Sequence, residues 1–343
     1  MKLTRPNLGR VGIGAGRGEL CVIESDCLVG NALGDPHRRE LPVYLPPGWD
    51  APGAQFPALF VLAGFTGRGH KYLAPHPWFS SVAQRFDAAI VEGDAPPAVL
   101  VMPDCFTRLG GSQYVDSTAT GPYETHVAQE LVPLVEEHLP VLPGRRGVVG
   151  KSSGGFGALH LAMRRPGLFQ AAASISGDVD FELCFGSEIL AAMRGLVPHG
   201  LSPQRFLEAF ARDRDLSGDG HAVINVLAMA ACYSPNPESP LGFDLPMELE
   251  RGERIPEVWR RWLSFDPLEA VRPHAQALRS LEYLHVECGL ADEYNLQWGL
   301  RRLVRKLQEL DVPHVHEEHS GGHRGTDDRY LRVLPRLASI LAG

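Results

Sequence analysis

Apolar residues along this chain come in two alternating arrangements. Short runs that are apolar at nearly every position, at residues 58–62, 98–102 and 171–175, predict strands buried on both faces. Runs near residues 20–23, 41–45 and 281–288, bounded by Gly and Pro, also read as strands. Longer stretches with apolar residues three and four apart predict helices. These lie near residues 78–86, near 122–139 with Pro133 set to bend the helix, after residue 153, at 296–310 on a stripe of Leu296, Leu300, Leu303, Leu307 and Leu310, and at the end on Leu331, Leu334, Leu337 and Leu341. A short alternating strand is expected at 312–318. Strands buried on both faces and separated by helices predict an α/β fold whose mostly parallel central sheet is covered on both sides.

The alternation stops between Gly177 and about Asp266. So long an interruption inside a regular α/β chain predicts an insertion, here a lid or cap over residues 178–265 of a single domain spanning 1–343. Its pieces are an amphipathic segment around Ile189, Leu190 and Met193, another at Phe206 and Phe210, an Asp-rich turn and a Pro-rich stretch at 234–246. Phe206, Phe210, Trp259 and Trp262 read as lid core or as an acyl or aryl pocket wall.

Between two predicted elements stands Gly150-Lys151-Ser152-Ser153-Gly154, preceded by Val148 and Val149 and followed by Phe156, Leu159 and Met163 at helical spacing. A GxSxG pattern between strand and helix predicts a sharp turn that pushes the Ser152 hydroxyl out at the top of the sheet. Serine is a poor nucleophile alone and needs a base, itself oriented by a third group. Two loops at predicted strand ends offer them, Gly289 to Glu293 and His319 to Gly325. Asp292 is the expected acid because it comes first off its strand, with Glu293, Asp178 and Asp180 as competitors. His323 is the expected base over His314, His316 and His319, because Gly321 and Gly322 before it allow a close backbone approach to the nucleophile. The order Ser152, Asp292, His323 is that of α/β-hydrolases. The N–H groups of Ser153 and Phe65 are the expected oxyanion donors, Phe65 standing in the Gly-rich loop after the 58–62 strand.

Taken together, Gly150 to Gly155, the Gly289 to Asp292 loop and Gly321-Gly322-His323 resemble the putative-esterase branch of the α/β-hydrolases. Pro103-Asp104 with Gly111-Ser112-Gln113-Tyr114, and Glu130-Leu131-Val132-Pro133, extend the likeness. That branch includes esterase D and S-formylglutathione hydrolase, enterochelin esterases, feruloyl and acetyl-xylan esterases and the antigen 85 mycolyltransferases. The resemblance implies a serine carboxylic-ester hydrolase acting on a small-molecule ester without a cofactor. Acyl transfer, thioester cleavage and a non-catalytic binding role on the same fold stay open as alternatives.

Bulk properties narrow the partners. A formal charge of -8 argues against nucleic acid or an anionic membrane surface. Lysine is confined to Lys2, Lys71, Lys151 and Lys306, the remaining fixed positive charge being arginine. The opening residues from Met1 to Asn7 lack the apolar run of a secretory leader and no stretch approaches a membrane span, so a cytoplasmic location is expected. Self-association into a homo-oligomer is left open. The scattered cysteines, without a CxxC pair, predict free thiols. Gly12, Gly14, Gly16 and Gly18 miss the dinucleotide spacing and read as a flexible lead-in. His314, His316, His319 and His323 with Glu317 and Glu318 lack a metal-site motif, and His323 has a better use as the base; Asp213 to Gly220 lacks the closing Glu of a calcium loop, Ile224 standing there; no metal is expected.

Overall fold

A computed structural model describes residues 2–4, 11–74 and 76–343. Met1 and residues 5–10, which include part of the opening stretch expected to lack a leader, lie outside the described residues. Twelve strands are present among them: β1 Lys2–Thr4, β2 Val11–Gly12, β3 Arg17–Glu24, β4 Arg38–Leu45, β5 Phe56–Leu62, β6 Val99–Val101, β7 Asp116–Ser117, β8 Gly121–Pro122, β9 Val141–Lys151, β10 Ala171–Ile175, β11 Tyr283–Gly289 and β12 Val315–His319. The main sheet runs in the order β1-β3-β4-β6-β5-β9-β10-β11-β12, with β2 beside β3 and with β7 and β8 forming a separate hairpin. From β6 to β12 every pairing is parallel, and the β1 to β4 end is antiparallel. This is the expected α/β-hydrolase fold.

Successive side chains of a strand point to opposite faces, so a central strand must be apolar throughout to bury both. Ala58, Phe60 and Leu62 of β5 and Val148 of β9 enter one core, while Leu59, Val61 and Val149 enter the other. Helices Val82–Glu92 and Tyr330–Ala342 cover the second face. Helices Ser153–Arg164, Pro267–Arg279 and Leu296–Glu309 cover the first.

Several elements differ from their expected form. The first helix starts at Val82, not near Trp78, because Ser81 and Gln84 form a reciprocal capping box there; Trp78 and Phe79 stay outside it, exposed. The helix expected at 122–139 is broken by a π-turn at His126–Leu131. That widening comes just ahead of Pro133, whose ring would strike the carbonyl four residues back in a regular helix. The strand expected at 312–318 begins at Val315, so His314 lies outside it, its Nδ1 2.8 Å from the Val312 carbonyl oxygen.

Residues 177–266 hold more helix than the pattern announced. Phe181–Leu196 and Pro203–Asp213 match the two amphipathic pieces, and Pro256–Leu263 follows the Pro-rich stretch. Gly220–Tyr233 was not foreseen: apart from His221 and Asn225 it is apolar nearly all round and buried from Ala222 onward, so it shows no clear helical stripe. Its residues join the same core as Phe156 of the elbow helix. A further helix, Pro267–Arg279, starts at Asp266, whose carboxylate accepts from the Leu268, Asp180 and Phe181 amides and so ties the two ends of the segment together.

Among the described residues the six cysteines are free, and no helix is long and apolar enough to cross a membrane. The Asp-rich turn behaves as a solvated turn: Asp215 accepts from the Ser217 amide, and Asp219 pairs with Arg194.

Candidate active site

Strand β9 ends at Lys151 and the next helix begins at Ser153, leaving Ser152 alone to reverse the chain. It does so at φ 58° and ψ -129°, a backbone that side chains rarely adopt, so strain is stored at the residue that presents the hydroxyl. The flanking glycines follow from the same turn. A Cβ on Gly154 would lie 2.2 Å from the Leu62 carbonyl oxygen, and one on Gly150 would lie 2.3 Å from the Gly154 backbone.

The three residues singled out around this turn come together. Ser152 Oγ lies 3.0 Å from His323 Nε2, and His323 Nδ1 lies 2.8 Å from Asp292 Oδ2. Asp292 is buried, and its other oxygen accepts from the Tyr294 amide at 3.0 Å. The tyrosine ring stands edge-on to the imidazole with centroids 4.8 Å apart. Ser152 is thus paired to an imidazole whose far nitrogen faces a carboxylate held away from water, the arrangement that makes a serine nucleophilic.

The competing acids have other partners. Glu293 is exposed and accepts the His323 backbone N–H at 2.6 Å, which lowers its pKa and pins the loop that carries the base. Asp180 is buried in an ion pair with Arg302 at 2.6 Å. Asp178 lines the pocket beside Ser153, accepting from Gln113 Nε2 at 3.2 Å, and burial pushes its pKa up to about 6. Nor do the glycines before His323 serve the approach expected of them. They lie against the acid loop: Leu290 and Ala291 donate to the His319 and Gly321 carbonyls, and a Cβ on Gly289 would meet the Gly321 oxygen at 2.3 Å. Close contact is needed between the acid and base loops, not between base loop and nucleophile.

Of the remaining histidines, His319 Nδ1 accepts from the Gly321 amide and His316 lies 3.9 Å from Glu318. Glu317 instead binds Arg329 and Arg336, and Arg329 also binds Glu287 beside His285, so these acidic groups are already neutralised by arginine.

The residues expected to supply the oxyanion donors, Phe65 and Ser153, both line the cavity that holds Ser152. Ser153 opens its helix, where the amide has no intrahelical acceptor. The Phe65 loop passes close by, since a Cβ on Gly64 would lie 3.2 Å from Ser152 Cβ. The Thr66 and Gly67 amides donate to the Gly110 and Gly64 carbonyls, which leaves the Phe65 amide uncommitted among the described residues. Tyr114 holds this loop through a 2.7 Å hydrogen bond from its hydroxyl to the Ala63 carbonyl, and packs where a side chain at Gly157 would sit. Gln113 and Tyr114 both have positive φ, a local distortion their sequence did not announce.

A cavity of about 300 Å³ opens over Ser152. Its lining also includes Lys71, Lys151, Cys184, His221, Asn225 and Arg324, to which sequence reasoning gave no role at the site. His221 and Asn225 come from the unforeseen Gly220–Tyr233 helix. No group here forms a metal-ligand cluster; among the described residues such clusters occur at Cys27, His126 and Glu130 and at His285, Glu287 and Glu317.

The sequence matches the model of a family described as Putative esterase over residues 32–297. The S-formylglutathione hydrolase of Mus musculus is 26% identical over 156 residues, 43% of this chain and 54% of that protein. The chain thus spans about half the length of the curated relatives it matches. Among solved structures, a ferulic acid esterase superposes with a TM-score of 0.60 at 18% identity, covering 95% of this chain and 98% of that one. An S-formylglutathione hydrolase from Agrobacterium tumefaciens does so at 0.59 and 17%, covering 99% and 100%. At these identities the structural likeness speaks to the fold.

Proposed function

The chain belongs to the Putative esterase family, and from that premise we propose that it is a serine carboxylic-ester hydrolase working through an acyl-enzyme. The observation that carries this reading is the unbroken chain from Ser152 Oγ through His323 to buried Asp292, at the floor of an open cavity. Ser152 attacks the ester carbonyl while His323 Nε2 takes its proton, and Asp292 orients the imidazole and stabilises its charged form. The Phe65 and Ser153 amides hold the oxyanion, each worth about 3 kcal/mol of barrier. His323 then protonates the departing alcohol. Water, activated by the same imidazole, releases the acid. The residues in place complete this cycle without a cofactor.

Residues 178–265 act as the lid that shapes the pocket, supported by the positions of Cys184, His221 and Asn225 in its wall. A thioester is the second reading of the substrate, supported by the S-formylglutathione hydrolases among the similar proteins. The test is incubation with a fluorophosphonate followed by peptide mass mapping. Labelling is expected at Ser152, absent in Ser152→Ala and weakened in His323→Ala. An active protein left unlabelled overturns the mechanism.

A further inference from the structure

The charge of the Ser152 cavity opposes that of the protein. The chain carries a formal charge of -8, yet the cavity lining holds three cationic side chains, Lys71, Lys151 and Arg324, against one carboxylate, Asp178. Two of the four lysines in a sequence otherwise reliant on arginine therefore meet at one site. None of the three cations is in an ion pair within 4 Å among the described residues. Elsewhere carboxylates take up arginine charge, as in the pairs of Arg302 with Asp180 and of Arg329 with Glu287.

Lys151 makes the point most directly. It immediately precedes the nucleophile and is half-buried, and burial lowers its pKa. Asp327, Asp292 and Glu293 lie within its field without closing a contact. An ammonium group taken part-way out of water with no partner is unfavourable, and a bound anion would offset that cost. Lys71 and Arg324 stand exposed at the rim, Lys71 over the Tyr72 ring and Arg324 next to the Tyr294 hydroxyl. Rim charges of one sign raise the local concentration of an oppositely charged ligand and speed its capture.

We propose that this cavity selects esters or thioesters that carry a negative charge, a carboxylate being the simplest, with Lys151, Lys71 and Arg324 as the groups that receive it. The inference rests on the esterase reading and names its substrate class. The anion can sit on the acyl side or on the alcohol side of the scissile bond, and matched substrates separate the two. In the acyl arm, mono-p-nitrophenyl succinate is compared with p-nitrophenyl butyrate. In the alcohol arm, 4-butyryloxybenzoate is compared with phenyl butyrate.

In at least one arm, kcat/KM for the anionic ester is expected to exceed that of its neutral partner about tenfold at low salt, and the advantage should shrink as salt is raised. Lys71→Met, at an exposed position, should cut the anionic-to-neutral ratio several-fold, with Lys71→Arg restoring it; Lys151→Met should cut it further. A neutral ester preferred in both arms, or a ratio unmoved in the Lys71→Met, Lys151→Met double variant, overturns the proposal. Fluorophosphonate labelling keeps the two failures apart. Labelled Ser152 with neutral esters preferred defeats only the charge selection, whereas no labelling and no turnover of any of the four esters defeats the esterase reading as well.

Discussion

Two carboxylates stand side by side at the end of β11, and their geometry assigns them different tasks. Asp292 meets the imidazole, while Glu293 meets the backbone of the same histidine. Asp292→Asn should therefore lower kcat about 10⁴-fold, since an amide favours the wrong tautomer. Glu293→Gln keeps an acceptor for the His323 amide and should cost less than tenfold. Steady-state kinetics on p-nitrophenyl butyrate checks both, and equal losses would mean the acid had been misassigned. Asp178 makes a different prediction. Its pKa is raised to about 6 by burial, so folding disfavours its charged form. The penalty is absent below the unfolded value near 4, grows as pH rises and is complete above about 6. Asp178→Asn should thus be more stable than the parent at pH 8, by about 1 kcal/mol after discounting for its partial exposure to the pocket, and should lose that advantage by pH 4. Thermal unfolding of both proteins at the two pH values measures it; an advantage growing toward acid pH would contradict the assignment.

Helix Gly220–Tyr233 is the element whose sequence said least and whose position matters most to the cavity. An amphipathic helix announces itself by a stripe, because one side faces water. This one is packed against protein on nearly all sides, only His221 and Asn225 meeting the cavity, and its run of Val, Leu, Ala and Met therefore carries no clear period. It packs along Phe181–Leu196 and sends His221 and Asn225 into the cavity wall. Leu227 is 1% exposed at its middle. Leu227→Ala should cost about 2–5 kcal/mol, the transfer of a buried side chain plus the cavity left behind. Denaturant unfolding checks this, and a cost below 1 kcal/mol would place the helix on a loosely attached flap.

Over the whole molecule, residues 177–266 and the sheet share one core. Tyr233 and Trp262 from the segment touch each other, and Tyr233 also meets Phe156 of the elbow helix. Leu227→Ala is accordingly expected to move a single unfolding transition rather than split it in two, observed by circular dichroism and tryptophan fluorescence together. Much of this architecture was legible in the chain. The alternation of apolar runs and helical stripes predicted the parallel strands β5, β6, β9, β10 and β11 and the helices on both faces, because burial on two sides leaves a mark at every position. GxSxG between a strand and a helix located the elbow, because a turn that tight admits only glycine at its closest contacts. These are local constraints, and a sequence records them locally. Which carboxylate reaches His323, why Gly321 and Gly322 precede it, and which cations ring the cavity were decided only by the tertiary structure. Ser152, Asp292 and His323 are brought together by β9, β11 and the loop after β12, and a contact between residues so far apart depends on strand order and loop packing that no short stretch of sequence encodes.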